Sequence, residues 1–119
     1  KVLQAKHIMF LPESLVSLKD GPKVAIKERE KSGISSGFVI DHERKLQGLV
    51  TVDGAIEALK GHKTLTEIIL KDFSTTSPET YVQDLIPLAT ASKYPLAVID
   101  QNNRLLGIIA RVSVLSALI

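Results

Sequence analysis

A run of positions beginning at Ile40 recurs, without a gap, 59 residues further on at Ile99. Aligning Asp41 with Asp100 also places Leu46 on Leu105, Gly48 on Gly107, Ala58 on Ala117 and Leu59 on Leu118. Most unlike pairs are conservative: Lys45 with Arg104, Leu49 with Ile108, Val50 with Ile109, Ile56 with Leu115. Such a repeat constrains the fold more than any other feature of the chain. Whatever one copy builds the other builds too, and neither copy is large enough to close a core alone.

The local physics of each copy is simple. Phe38, Val39 and Ile40 make a short apolar strand, Asp41-His42-Glu43-Arg44 a turn, and Gln47–Thr51 the returning strand. The matching LLGIIA stretch is continuously apolar, which predicts burial on both faces. Gly48 and Gly107 stand inside these strands, where glycine marks a bulge or the close approach of another backbone or a ligand. The period then becomes helical, with Ala55, Ile56, Ala58 and Leu59 in one copy and Val114, Leu115 and Leu118 in the other. Asp53 and Ser113 are the expected N-caps.

Another helix precedes each strand pair. Gly21-Pro22 opens the first, with Ala25 and Ile26 facing inward, and Ser77-Pro78-Glu79-Thr80 opens the second. The inner stripe of the second is Val82, Leu85, Ile86 and Ala89, and Pro87 within it should kink or shorten the helix. Two preambles, AKHIMFLPESLVSL and LTEIILKDFSTTS, each read as a turn of helix followed by a short extended segment. The mixed run KEREK reads as a solvated helix face. The expected class is α+β: two pseudo-symmetric β-α-β-β-α repeats, 1–60 and 61–119, packed through their small sheets about a pseudo-two-fold axis. Gly61 stops the helix at their join, and Gly48 and Gly107 lie near the cleft.

Composition excludes several functions. The formal charge is +2 with both signs interleaved, and aromatics are 4%, a poor match to a nucleic-acid surface. There is no cysteine, hence no disulfide framework and no thiolate metal site. No apolar run is long enough to span a bilayer, and no signal-peptide pattern opens the chain. Because it begins at Lys1, the chain is expected to be a cytoplasmic piece of a longer protein.

The GP-opened helix, GISSGFVID at 33–41 and GLVTVDGAIEAL resemble a tandem pair of CBS domains over essentially the whole chain. More narrowly, they resemble the pairs at the C-terminus of ATPase subunits of bacterial importers for glycine betaine, carnitine, choline or proline. The resemblance implies a regulatory module. Its implied partners are a second copy, the parent ATPase domain and the transporter's membrane subunits, with a peripheral place at the inner face of the cell membrane. No G-x-x-x-x-G-K-[ST] occurs here, so the resemblance implies that any ATPase engine lies outside these residues and that this part is not an enzyme. No cofactor is expected in it, and cyclic di-AMP or an adenine nucleotide is the implied regulatory ligand.

CBS domains that bind AMP or ATP often carry G-h-h-[ST]-x-x-D, whose Asp accepts from both ribose hydroxyls. Here the first copy has Gly48, Thr51 and then Gly54, and the second Gly107, Ala110 and Ser113. Asp53 is one residue early, a rotation of about 100° on a helix. A diol-chelating carboxylate is useless to a 3′,5′-cyclic dinucleotide, whose 3′ oxygen is esterified, and would repel its phosphodiester. Some importers of this subgroup are inhibited by cyclic di-AMP, so the resemblance supplies that ligand, held between two CBS pairs. Tyr94 beside Pro95 offers a base-stacking surface, Ile108 and Ile109 apolar walls, and Arg111 a planar cation for phosphate. Ser35 and Ser36 would add polar contacts from the first copy. Each has a plainer reading: Thr51 as a helix cap or a ligand contact, Arg111 as an exposed ion pair, Tyr94-Pro95 as packing. His7, His42 and His62 lack metal or catalytic spacing, and Asp41 and Asp100 read as turn residues. The alternatives are a dimerisation module without ligand, an ionic-strength sensor meeting anionic lipid, and an AMP- or ATP-binding CBS pair of another protein.

Overall fold

The computed structural model describes residues 2–11, 15–32 and 36–118. They divide into two compact units, one of Lys1–Pro12 with Asp72–Ile119 and one of Glu13–Lys71. In chain order, α1 (Ala5–Ile8) belongs to the first of these units. The second unit holds β1 (Val16–Ser17), α2 (Pro22–Ser32), β2 (Ser36–Ile40), β3 (Leu46–Thr51), α3 (Val52–Lys60) and α4 (Leu65–Ile68). The chain then returns to the first unit with β4 (Thr75–Thr76), α5 (Val82–Ala91), β5 (Leu96–Ile99), β6 (Leu105–Ile109) and α6 (Arg111–Ala117). Each unit has one three-stranded sheet, β1-β2-β3 or β4-β5-β6. The first pairing in each is parallel and the second antiparallel. The fold is α+β, with two pseudo-symmetric β-α-β-β-α repeats.

Proline at the first helical position starts α2, where its missing N–H costs nothing. Ala25 of α2 joins Val16, Val39, Val50, Ala55 and Leu65 in the core of its unit. The equivalent core contains Val82, Leu85 and Ala89 of α5 with Leu96, Val98, Ile109 and Val114. The helix α5 begins at Val82 rather than at Ser77-Pro78. Its expected start is a turn because the carbonyls of Pro78 and Thr80 accept from the amides of Lys6 and Ala5, at 2.9 and 2.7 Å. Pro87 lies inside α5, which continues to Ala91.

The two hairpin turns repeat the same aspartate-to-backbone hydrogen bonds. Asp41 Oδ1 accepts from the amides of Glu43 and Lys45, as Asp100 Oδ1 does from Asn102 and Arg104. Arg44 and Asn103 both take the left-handed conformation, with φ of 64°. Desolvation raises the Asp41 pKa, but the two backbone donors and the nearby His42 and Lys45 outweigh it and hold the carboxyl below its usual range. Each hairpin carries one irregularity, opposite Gly48 between Val39 and Ile40 and opposite Gly107 between Val98 and Ile99. The bulge half of the expectation for these glycines is met.

The other half, close approach, is met too. Leu70 pairs with Leu49 through bonds of 2.8 and 2.9 Å, closing the free edge of β3. A Cβ on Gly48 would lie 2.6 Å from Ile69 Cγ1 and 2.7 Å from the Leu70 carbonyl oxygen. In the other unit Phe10 pairs with Ile108 at 3.0 and 2.9 Å, and a Cβ on Gly107 would sit 3.0 Å from Met9 Sδ. The preamble 2–11 therefore closes the sheet of the later repeat, and the preamble of residues 65–70 closes that of the earlier one. For this reason the compact units divide at 12/13 and 71/72 rather than at the repeat boundary of 60/61.

Candidate functional site

Thr51 ends β3 and caps α3, its Oγ1 accepting from the Gly54 amide at 2.9 Å. The expected cap, Asp53, is instead an exposed residue of the first turn, because the strand ends two residues earlier than its position requires. Ser36 is the cross-strand partner of Thr51, so these two candidates share the last rung of their sheet. Ser35 lies outside the described residues.

Behind that rung lies a residue the sequence reading placed in solvent. Arg29 is only 4% exposed, and one of its guanidinium nitrogens donates to the Ser36 carbonyl at 2.9 Å. A Cβ on Gly37 would fall 2.6 Å from the Arg29 Cζ, so the guanidinium fills room that glycine vacates. Burial pushes the Arg29 pKa down, and the neighbouring Glu28 opposes this. KEREK is therefore not a uniformly solvated face. The signal available in sequence was Gly37 itself, a glycine at the start of a strand.

In the other unit, Tyr94 and Pro95 are half-buried and lead into β5, whose Leu96 pairs with Ile109. A Ser92 hydroxyl donating to the Tyr94 carbonyl at 2.6 Å holds this approach. Ile108 is 7% exposed and bonded to Phe10, while Ile109 is fully buried among the core residues. The N-cap of α6 is Ala110, which offers no side-chain acceptor, and Ser113 lies inside the helix. Arg111, the first residue of α6, is exposed and lines a small open groove with Ile86, Ala89, Thr90, Val114 and Leu115. That lining includes none of Tyr94, Ile108 and Ile109. The α5 contribution, Thr90 above all, was missed in sequence, where this helix signalled only a buried stripe.

The unequal caps give a direct expectation. Thr51→Ala should lower stability by about 1 kcal/mol, and Ala110→Thr should raise it by several tenths, both read as shifts in the urea midpoint.

The remaining polar candidates have structural work. His7 Nδ1 accepts from the Gln4 amide at 2.9 Å, and His42 is exposed beside Glu43. Among the described residues no group of three His, Cys, Asp or Glu is placed to hold a metal ion, and no helix is long and apolar enough to cross a membrane.

Residues 65–119 match the CBS domain family model, and the earlier repeat has the same element order and sheet topology. The chain is a tandem CBS-domain pair. The glycine betaine transport ATP-binding protein OpuAA of Bacillus subtilis (strain 168) is 33% identical over 118 residues, covering 99% of this chain and 28% of that protein. The glycine betaine/carnitine transport ATP-binding protein GbuA of Listeria monocytogenes is 36% identical over 119 residues, covering 99% of this chain and 30% of that protein. The CBS pair thus spans under a third of either relative's length. Among solved structures, CbpB in complex with c-di-AMP superposes with a TM-score of 0.84 at 18% identity, over 98% of this chain and 85% of that one. At that identity the likeness is one of fold. The CBS pair resembles the C-terminal regulatory region of betaine, carnitine and choline transport ATPases, and it corresponds to a CBS module rather than to a catalytic domain.

Proposed function

We propose that this CBS pair is the ligand-sensing regulatory module of an osmoprotectant importer's ATPase subunit, and that its ligand is cyclic di-AMP bound between two copies. The observation that carries the reading is Arg111 at the lip of an apolar groove, in a chain where neither repeat keeps a carboxylate for a ribose diol. A planar cation over apolar walls suits a phosphodiester flanked by purines. The names of the relatives support the transporter, and the complex of CbpB supports a cyclic dinucleotide on this fold. In the parent protein the module would work beside the ATPase domain and the membrane subunits, on the cytoplasmic side.

Titration calorimetry of the 119-residue chain with cyclic di-AMP tests this. Binding in the micromolar range is expected, with stabilisation of about 2.7 kcal/mol once free ligand reaches a hundred times Kd. Arg111→Ala should weaken binding roughly tenfold to a hundredfold, the worth of one charge-assisted phosphate contact. Absence of heat and of thermal stabilisation at tens of micromolar ligand would discard the ligand. Unchanged affinity in Arg111→Ala would discard the anchor.

A second reading, association without any ligand, rests on Val112, Leu115 and Leu118 of the α6 region, which are 66%, 58% and 50% exposed. Light scattering of the ligand-free chain tests the dimer, and a thermal-shift series with adenine nucleotides and cyclic dinucleotides separates the two readings, because this one requires no response to any of them.

A further inference from the structure

Met9 is the chain's one methionine, and it stands at the seam where residues 2–11 meet β6. Its side chain is half-buried, packs on the core of its unit, and covers Gly107 closely enough that an added Cβ would come within 3.0 Å of the sulfur. One residue on, Phe10 makes the two backbone bonds that close the β6 edge. Three further amide bonds, from Ala5 to Thr80, from Lys6 to Pro78 and from Val82 to Leu3, hold the rest of the segment. The other seam has the same backbone pairing but a different residue over its glycine. There the residue over Gly48 is Ile69, which has no oxidisable atom.

We propose that Met9 is a reversible oxidation site whose sulfoxide releases residues 8–11 from the edge of β6. The oxidant is a hydroperoxide. The thioether sulfur attacks the peroxide, the O–O bond breaks, one oxygen joins sulfur, and the other leaves as water or an alcohol; sulfur loses two electrons and the peroxide gains them. The product is a polar, chiral group in place of a flexible apolar one. On the Gly107 side there is little room for an extra oxygen, and a sulfoxide that turns aside to reach water gives up the apolar cover of that seam. A polar group at this seam weakens the packing either way, and lifting residues 8–11 from β6 relieves it. Methionine sulfoxide reductases, one for each epimer, would reset it.

The test uses the whole 119-residue chain, treated with hydrogen peroxide under native conditions and followed by peptide mass and amide hydrogen exchange. Met9 should gain one oxygen while the chain stays folded. Exchange at Phe10 and Ile108 should then quicken about tenfold or more, while Leu49 and Leu70 at the other seam keep their protection. Paired reductases should restore the original rates. Met9→Ile, which copies the other seam, should keep its protection in peroxide. The proposal is overturned if Met9 oxidises only after denaturant unfolds the chain. It is equally overturned if its oxidation leaves Phe10 and Ile108 unchanged, or if all four amides quicken together.

Discussion

Gly48→Ala should destabilise the protein by about 3 kcal/mol, whereas the equivalent Gly107→Ala should cost only about 1 kcal/mol. The two glycines occupy matching positions, so propensity and burial predict no difference between them. What differs is the neighbour. The new methyl at Gly48 would meet a backbone oxygen, that of Leu70, at 2.7 Å, together with Ile69 Cγ1 at 2.6 Å. Leu70 cannot withdraw without breaking its paired bonds to Leu49, and Ile69 is β-branched and stiff at its first side-chain torsion. At Gly107 the three atoms nearest the methyl would all belong to the Met9 side chain, at 3.0 to 3.2 Å, and an unbranched thioether can turn aside. Urea midpoints of the two variants at unchanged m-value decide the matter. Equal losses would show that the seams yield alike and that the Leu70 backbone is not the rigid element.

The second large effect concerns a place where the repeats solve the same packing problem with different chemistry. Arg29 and Ala89 are equivalent by position from the start of α2 and α5, and Gly37 and Leu96 by strand register. One repeat packs a long cation over a glycine, and the other an alanine over a fully buried leucine. Arg29→Ala should therefore cost about 2 kcal/mol, through a void under α2 and loss of the bond to the Ser36 carbonyl. Gly37→Leu alone should also destabilise, because leucine and guanidinium compete for one space. The double variant, which writes the later repeat's solution into the earlier one, should recover more than half of the summed loss. A coupling of about 1.5 kcal/mol in the double-mutant cycle is the expected reading. Strict additivity would mean that the two side chains do not share that space. Since Arg29 also holds the rung carrying Ser36 and Thr51, the double variant restores stability without restoring that carbonyl's partner.

Local sequence suffices for the repeat, the order of elements within it, the hairpins and their aspartate turns, and the inward stripes of the helices. Each of these depends on residues a few positions apart. Asp41 finds Glu43 and Lys45 whatever the rest of the chain does, and Leu85 and Ala89 share a face because a helix turns every 3.6 residues. The tertiary structure alone decided which preamble closes which sheet. Both preambles have the same local pattern, so periodicity favours neither partner, and the choice lies in long-range pairing: Leu70 to Leu49 and Phe10 to Ile108. It also decided where α5 begins, since the carbonyls of Pro78 and Thr80 were taken by amides from the chain's other end. Arg29 is the clearest case. In KEREK it has the pattern of a solvated charge, and only the arrival of Gly37 on a strand eight residues later leaves a space that a guanidinium can occupy. For the candidate site the division is similar. The absence of a ribose carboxylate was legible at Gly54 and Ser113, but the groove that Arg111 lines required α5 and α6 to be packed side by side. Thr90 enters that groove through helix packing, and no spacing along the chain records it.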